Sequence, residues 1–138
     1  MSLPVQFEVL GNPAPQGSKR HVGNGVMVET SRALKPWRSA VADAARDVAE
    51  DVGLLDEPLA LSVEFRFPMP KSRSKAIRVM GMNPKVSAPD VDKCLRAVAD
   101  SLKIGGLIRD DALFYEVHAS KWEVVGWTGA VIRLEGIG

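Results

Sequence analysis

The sequence predicts an α+β fold in which two main helices pack on a mixed β-sheet. The length of 138 residues suits one domain, so we expect residues 1–138 to form a single unit. Several short segments alternate apolar and polar residues, which is typical of strands, and two longer segments have apolar residues at helical spacing. Strands and helices are interspersed along the chain, and this order favours helices on a mixed sheet.

The composition excludes several classes of protein. A hydrophobic fraction of 46% argues against disorder, and a net charge of +1 does not by itself indicate a nucleic-acid or membrane partner. The single cysteine allows no internal disulfide and favours a reducing, cytoplasmic location. The sequence has neither a secretory signal pattern nor an apolar run of membrane-spanning length, so no membrane association is expected.

The first half of the chain predicts a strand over residues 5–9 and, after a segment rich in Gly and Pro, a short strand over residues 26–28. A helix is then expected to begin near Leu34. Ser31 is its predicted N-cap, and Gly53 is expected to end it.

The second half predicts a strand over residues 59–67. Residues 71–89 have few apolar side chains and no period, so we expect a mobile basic loop there. Residues 90–103 predict a helix with one apolar side, and late strands are expected over residues 113–125 and 130–134.

Basic and acidic side chains are segregated along the chain. Residues 13–38 hold five basic side chains and one acidic, residues 39–57 hold six acidic and one basic, and residues 71–85 hold five basic and none acidic. Each run taken alone is typical of a solvated surface, but basic loops also reach phosphates. We therefore predict a DNA path that includes Lys19, Arg20, Lys71, Arg73, Lys75, Arg78 and Lys85.

The acidic residues suggest a metal site. Asp90 and Asp92 open the second predicted helix, where helix capping is an alternative role, and Asp110 and Asp111 precede a late strand. If that strand lies beside the helix, Asp111 can face Asp90 and Asp92. Three clustered carboxylates require a cation, and Mg²⁺ (with Mn²⁺ as an alternative) prefers such oxygens. This combination is suited to phosphodiester hydrolysis.

Two cations accompany these acids, each with two interpretations. Arg96 follows Asp92 by four residues, so it forms a helical ion pair or reaches the scissile phosphate. Lys121 follows Asp111 by ten residues, which places both on one face of a regular strand. There it either faces solvent or takes part in catalysis.

The cysteine, histidine and tryptophan side chains are not assigned to the catalytic site. Cys94 lies on the apolar side of its helix and is expected to be buried. His21 and His118 lack metal-ligand spacing, so zinc is not expected. Trp122 and Trp127 are assigned to the core, with dimer contacts or base stacking as alternatives.

Motifs spread over nearly the whole chain resemble the RusA family of Holliday-junction resolvases. The matching residues are Gly11-Asn12-Pro13, Lys19-Arg20, Pro89-Asp90-Val91-Asp92, Arg96-Ala97, Asp100-Ser101-Leu102, Asp110-Asp111 and Lys121. The chain departs from the family pattern at three positions, Ala88, Lys93 and Arg96. At the position of Arg96 the family has lysine. Arginine keeps the charge but is a poor proton donor, so phosphate binding is the role expected of Arg96.

The resemblance implies a Mg²⁺-dependent endonuclease that acts as a homodimer on four-way DNA junctions and is often encoded by phages. It implies that Asp90, Asp92 and Asp111 are the catalytic, metal-binding acids, with Arg96 and Lys121 beside them, and it implies no organic cofactor. Two alternatives stay open: a non-catalytic DNA-binding protein and a less selective nuclease for branched DNA. A homodimer would supply two cuts related by two-fold symmetry, and Trp122, Trp127 and the late strand edge are its predicted interface.

Overall fold

The computed structural model describes residues 3–17, 19–21, 27–29 and 32–137. It confirms the α+β class, with two main helices and a mixed five-stranded sheet. The elements are β1 (Val5–Leu10), β2 (Lys19–His21), β3 (Met27–Glu29), α1 (Leu34–Val52), β4 (Leu59–Pro68), α2 (Lys75–Met80), β5 (Met82–Pro84), α3 (Val91–Ile104), a 3₁₀ turn (Asp111–Leu113), β6 (Phe114–Val124) and β7 (Gly129–Glu135).

The main sheet has the strand order β1-β7-β4-β6-β5. Only the β4–β6 pair is parallel. Parallel neighbours need a long crossover, and the chain between β4 and β6 supplies it with α2, β5 and α3. Strands β2 and β3 form a separate two-stranded sheet.

The core lies between one face of the sheet and the two long helices. Every second residue of β4 is buried, Leu61 and Phe65 completely, because successive side chains of a strand point to opposite faces. Trp37 from α1 and Val98 from α3 belong to the same buried cluster. The other face of β4 carries partly exposed residues such as Glu64 and Arg66.

Most predicted elements are confirmed, with boundary shifts of one or two residues. Helix α1 begins at Leu34 and ends before Gly53, as expected. Ala33 occupies its N-cap position, and the predicted cap Ser31 and the first residue of the strand predicted at 26–28 lie outside the described residues. Cys94 is buried, as predicted.

The prediction of a mobile loop over residues 71–89 is wrong. Helix α2 begins after Ser74, whose hydroxyl oxygen accepts a hydrogen bond from the Ile77 amide, and it ends at Gly81 in the left-handed conformation. Strand β5 then pairs with the end of β6. A six-residue helix and a three-residue strand are too short to show the periodicity on which the prediction depended.

The assignment of Trp122 and Trp127 to the core is also wrong. Both are partly exposed, and Trp37 is the buried tryptophan. The Trp122 indole donates to the Ser120 hydroxyl, and the Arg66 guanidinium stacks on the Trp127 ring at 4.2 Å. Across the described ranges, no helix combines the length and apolar character that crossing a membrane requires.

Candidate active site

Asp90 and Asp92 stand at the start of α3 with exposed side chains. Asp90 occupies the N-cap position in an extended conformation (φ −67°, ψ 139°), but its carboxylate makes no capping hydrogen bond. The Lys93 ammonium lies 3.9 Å from one of its carboxylate oxygens. Capping therefore does not occupy the Asp90 carboxylate, which leaves its oxygens accessible to a ligand.

Lys121 holds the segment that leads into α3. Its ammonium donates to the carbonyl oxygens of Ser87, at 2.7 Å, and Pro89, at 2.6 Å. In the other direction, the Lys121 carbonyl accepts from the Lys85 amide at 3.0 Å. Lys121 thus connects β6 to the backbone immediately before the two aspartates.

Arg96 lies one turn further along α3, beside the segment that follows β1. The Gln16 amide donates to the Lys93 carbonyl at 3.0 Å, which brings this segment against α3. A Cβ atom added to Gly17 would lie 2.7 Å from an Arg96 guanidinium nitrogen. The ion pair between Arg96 and Asp92 that their spacing allows is not formed in the described part of the chain. Asp92 therefore does not neutralise the Arg96 guanidinium.

The buried thiol of Cys94 lies within the electrostatic reach of these groups. The pKa of this thiol is raised to about 11, chiefly by burial; among the nearby charges, that of Lys121 lowers the pKa and those of Asp90 and Asp92 raise it. One buried atom thus senses both acids and the lysine, which is consistent with a compact group of charges at the start of α3.

Asp110 and Asp111 lie at the opposite end of α3. The Asp110 carboxylate is 3.3 Å from the Lys103 ammonium in the last turn of the helix. The neighbouring Asp111 side chain, followed by the contact with Lys103, lowers the pKa of Asp110. Along the helix axis, Lys103 is about 16 Å from Asp92, at 1.5 Å per residue.

The expected convergence of Asp111 with Asp90 and Asp92 within one chain is therefore not found. Among the residues that the structure describes, no three His, Cys, Asp or Glu side chains are grouped closely enough to hold a metal ion. The reason is that β6 and α3 run in opposite directions. Strand β6 starts near the end of α3 and reaches the start of α3 only at Lys121, so a residue that precedes β6 lies at the far end of the helix.

The segment from Pro70 to Pro89, here called the arm, carries most of the predicted DNA-binding residues. Lys71 and Lys75 are exposed. The Arg78 guanidinium donates to the Pro70 carbonyl at 2.8 Å, and the Lys85 ammonium donates to the Ser87 hydroxyl and lies over the Phe67 ring. The backbone of Lys19 and Arg20 forms β2, and their side chains lie outside the described residues.

Arg73 has a structural partner that the sequence analysis missed. Its guanidinium forms two hydrogen bonds, at 2.8 and 2.7 Å, with the carboxylate of Glu123, whose side chain is 1% exposed. The Asn83 amide donates to the same carboxylate at 2.8 Å. These contacts lower the pKa of Glu123 to about 2, the Arg73 hydrogen bonds being the largest cause. The available signal was an acid on the same face of the late strand as Lys121.

The fold and the site together define a class of protein: an α+β domain with paired carboxylates, a strand lysine and an ordered basic arm at one end of its sheet. The family model described as endodeoxyribonuclease RusA matches residues 11–135, so the chain belongs to the RusA family. Membership in this family implies a nuclease that acts on DNA. A search of curated proteins found no match.

Proposed function

We propose that this protein resolves four-way DNA junctions by cutting phosphodiester bonds with Mg²⁺ as its cofactor. The supporting observation is that the acid pair of α3, Lys121 and the basic arm lie together in a chain of the RusA family. The arm would bind the phosphates of a DNA limb through Lys71 and Lys75, which makes binding dependent on salt.

The residues at the start of α3 fit a hard divalent cation. Asp90, at the N-cap of α3, and Asp92, in its first turn, offer exposed carboxylate oxygens, and Mg²⁺ is bound in proteins through one or two carboxylates together with phosphate and water. Bound there, the ion would activate a water molecule and stabilise the leaving oxygen. In this proposal Arg96 binds the phosphate beside the acids, and Lys121 keeps the start of α3 in position.

A homodimer would complete the acidic site with Asp111 of the second copy. Strand β5 pairs only with residues 122–124 of β6, so the outer edge of β6 from Tyr115 to Ser120 has no strand partner among the described residues. Antiparallel pairing of two such edges about a two-fold axis would bring the start of β6 in one chain next to Lys121 in the other. Asp111 of each chain would then approach Asp90 and Asp92 of its partner.

The exposed side chains of this edge support an interface with a second copy. Tyr115 and Val117 are 56% and 48% exposed. Val117 lies on the same face of β6 as Lys121, because β6 is regular from Glu116 onward, whereas Tyr115 lies at a register shift in the pairing of β6 with β4. An open edge with exposed apolar residues favours pairing with another chain, and two-fold pairing is the most common oligomeric arrangement. Trp122 and Trp127, the tryptophans of the predicted interface, lie on or near the polar face instead.

The function is tested by incubating the protein with a four-way junction and with a linear duplex, with and without Mg²⁺. We expect paired, symmetric cuts in the junction only when Mg²⁺ is present. Asp92→Asn should abolish cutting and retain junction binding, whereas Asp47→Asn, an exposed acid on α1, should cut normally. Equal cutting of the linear duplex would instead indicate a less selective nuclease, and full activity of Asp92→Asn would refute the site.

Subunit mixing tests whether Asp111 acts across the dimer. If it does, Asp92→Asn and Asp111→Asn are each inactive alone, but their heterodimer holds one intact site and one doubly damaged site. Mixing the two variants should therefore restore single-strand nicks. If all three acids act within one chain, the heterodimer has two damaged sites and mixing restores nothing.

A further inference from the structure

The arm exposes apolar side chains that contribute nothing to the core. Val79 and Met80, at the end of α2, are each 78% exposed, and we call them the apolar tip. Val86, further along the arm, is 95% exposed. Single exposed aliphatic residues are common on protein surfaces, but two adjacent ones at the end of a helix form a small contiguous apolar patch.

The tip is carried on an anchored base. The Arg73–Glu123 ion pair fixes the arm before α2, and the Asn83–Glu123 hydrogen bond fixes it after α2. Between these points, the Val125 amide donates to the Gly81 carbonyl at 3.2 Å. Three connections to one end of β6 thus hold the short helix in place, so its apolar end is presented in a defined position.

The surroundings of the tip are cationic. No acidic residue occurs in the arm, and its five basic residues include Lys75 and Arg78 on α2 itself. Glu123, the buried acid that the arm contacts through Arg73 and Asn83, is already paired with Arg73. A partner that covers the tip must therefore combine an apolar contact surface with negative charge around it, and nucleic acid meets both requirements through its bases and phosphates.

We propose that Val79 and Met80 insert between bases at the branch point of a DNA junction while the basic residues of the arm hold the adjoining phosphates. This inference rests on the proposed function and names the feature of the substrate that the arm recognises. Proteins that bend DNA insert apolar side chains, aliphatic ones such as leucine, isoleucine and methionine among them, between base steps. Insertion costs least where stacking is already interrupted, as it is at a branch point.

The test compares Val79→Ser/Met80→Ser with a matched control, Leu10→Ser/Ile137→Ser. The control residues are 68% and 72% exposed and do not belong to the arm. The probe is a four-way junction with 2-aminopurine at the branch point, whose fluorescence rises when the base is unstacked, titrated without divalent cation. We expect the unmodified protein and the control to raise the fluorescence and the tip variant to leave it unchanged. The tip variant should also bind the junction at least about tenfold more weakly, as expected from the loss of one buried aliphatic contact.

Further measurements separate this inference from its competitors. Linear-duplex affinity and its salt dependence should be the same for all three proteins. A tip variant that matches the unmodified protein in fluorescence and affinity would refute insertion while leaving junction cleavage, measured separately with Mg²⁺, intact. Insertion would equally be refuted if the tip variant sedimented as a monomer where the unmodified protein is a dimer, or if it lost only binding to anionic lipid vesicles. Failure of the unmodified protein to bind or cut the junction would overturn the proposed function and the insertion with it.

Discussion

Glu123 offers a quantitative test of how the arm is attached to the domain. Its carboxylate is 1% exposed and accepts three hydrogen bonds, two from Arg73 and one from Asn83. The substitution Glu123→Gln keeps the shape of the side chain and removes the charge. Glu123 is the buried partner, whereas Arg73 is 36% exposed, so the substitution acts by weakening the charge-assisted hydrogen bonds made to a buried carboxylate.

The magnitude follows from the pKa of Glu123, which lies at about 2 against an ordinary value of 4.5. The folded state therefore binds this proton less readily than the unfolded state. The stabilisation is fully present above about pH 4.5 and is lost as the pH falls through about 2. A difference of this size corresponds to about 3 kcal/mol in the free energy of unfolding at neutral pH.

The assay is urea denaturation of the unmodified protein and of Glu123→Gln between pH 2 and pH 7. Their difference in unfolding free energy should be about 3 kcal/mol at pH 7 and should approach zero near pH 2. The exposed Glu50 on α1 supplies the control, and Glu50→Gln should change stability by less than about 0.5 kcal/mol at every pH. If the arm detaches locally, amide exchange at Arg78 and Gly81 will report it. A difference below about 1 kcal/mol that does not vary with pH, with unchanged exchange, would refute the reasoning.

Three further predictions follow from contacts elsewhere in the chain. Gly105→Ala should cost about 1–3 kcal/mol in thermal or urea unfolding, because the new Cβ would lie 2.5 Å from the Ala42 carbonyl oxygen where α1 and α3 meet. The control Gly126→Ala, with only an ordinary contact to a flexible arginine, should change stability little. Lys121→Met should accelerate amide exchange at Cys94, whose amide donates to the Asp90 carbonyl, because the segment before α3 loses two hydrogen bonds. Unchanged exchange would refute the positioning role of Lys121. Lys71→Ala/Lys75→Ala should reduce the salt slope of duplex binding by about 1.8, at about 0.9 per phosphate contact, whereas Arg46→Ala/Arg133→Ala should leave it unchanged. An equal loss in both pairs would assign the effect to net charge alone.

Prediction from sequence succeeded where local periodicity is long enough to be unambiguous. The alternation of β4 and the helical spacing of α1 and α3 identify both the elements and their buried faces. It failed over residues 71–89, where a helix of one to two turns depends on the Ser74 cap and on contacts to Glu123. It also failed for Trp122 and Trp127, because a large apolar ring can lie on a polar sheet face when it stacks with an arginine or donates a hydrogen bond.

The candidate site was also predicted in part from the sequence and decided in part by the tertiary structure. The sequence alone determined that Asp90 and Asp92 lie together at a helix start and that Asp111 precedes a strand, because both facts depend on neighbours within a few residues. Only the tertiary structure decided that the strand runs against α3 in the opposite direction, and this separates Asp111 from the pair by most of the helix length. Direction and register arise from packing between segments distant in the chain, and local sequence patterns do not encode them.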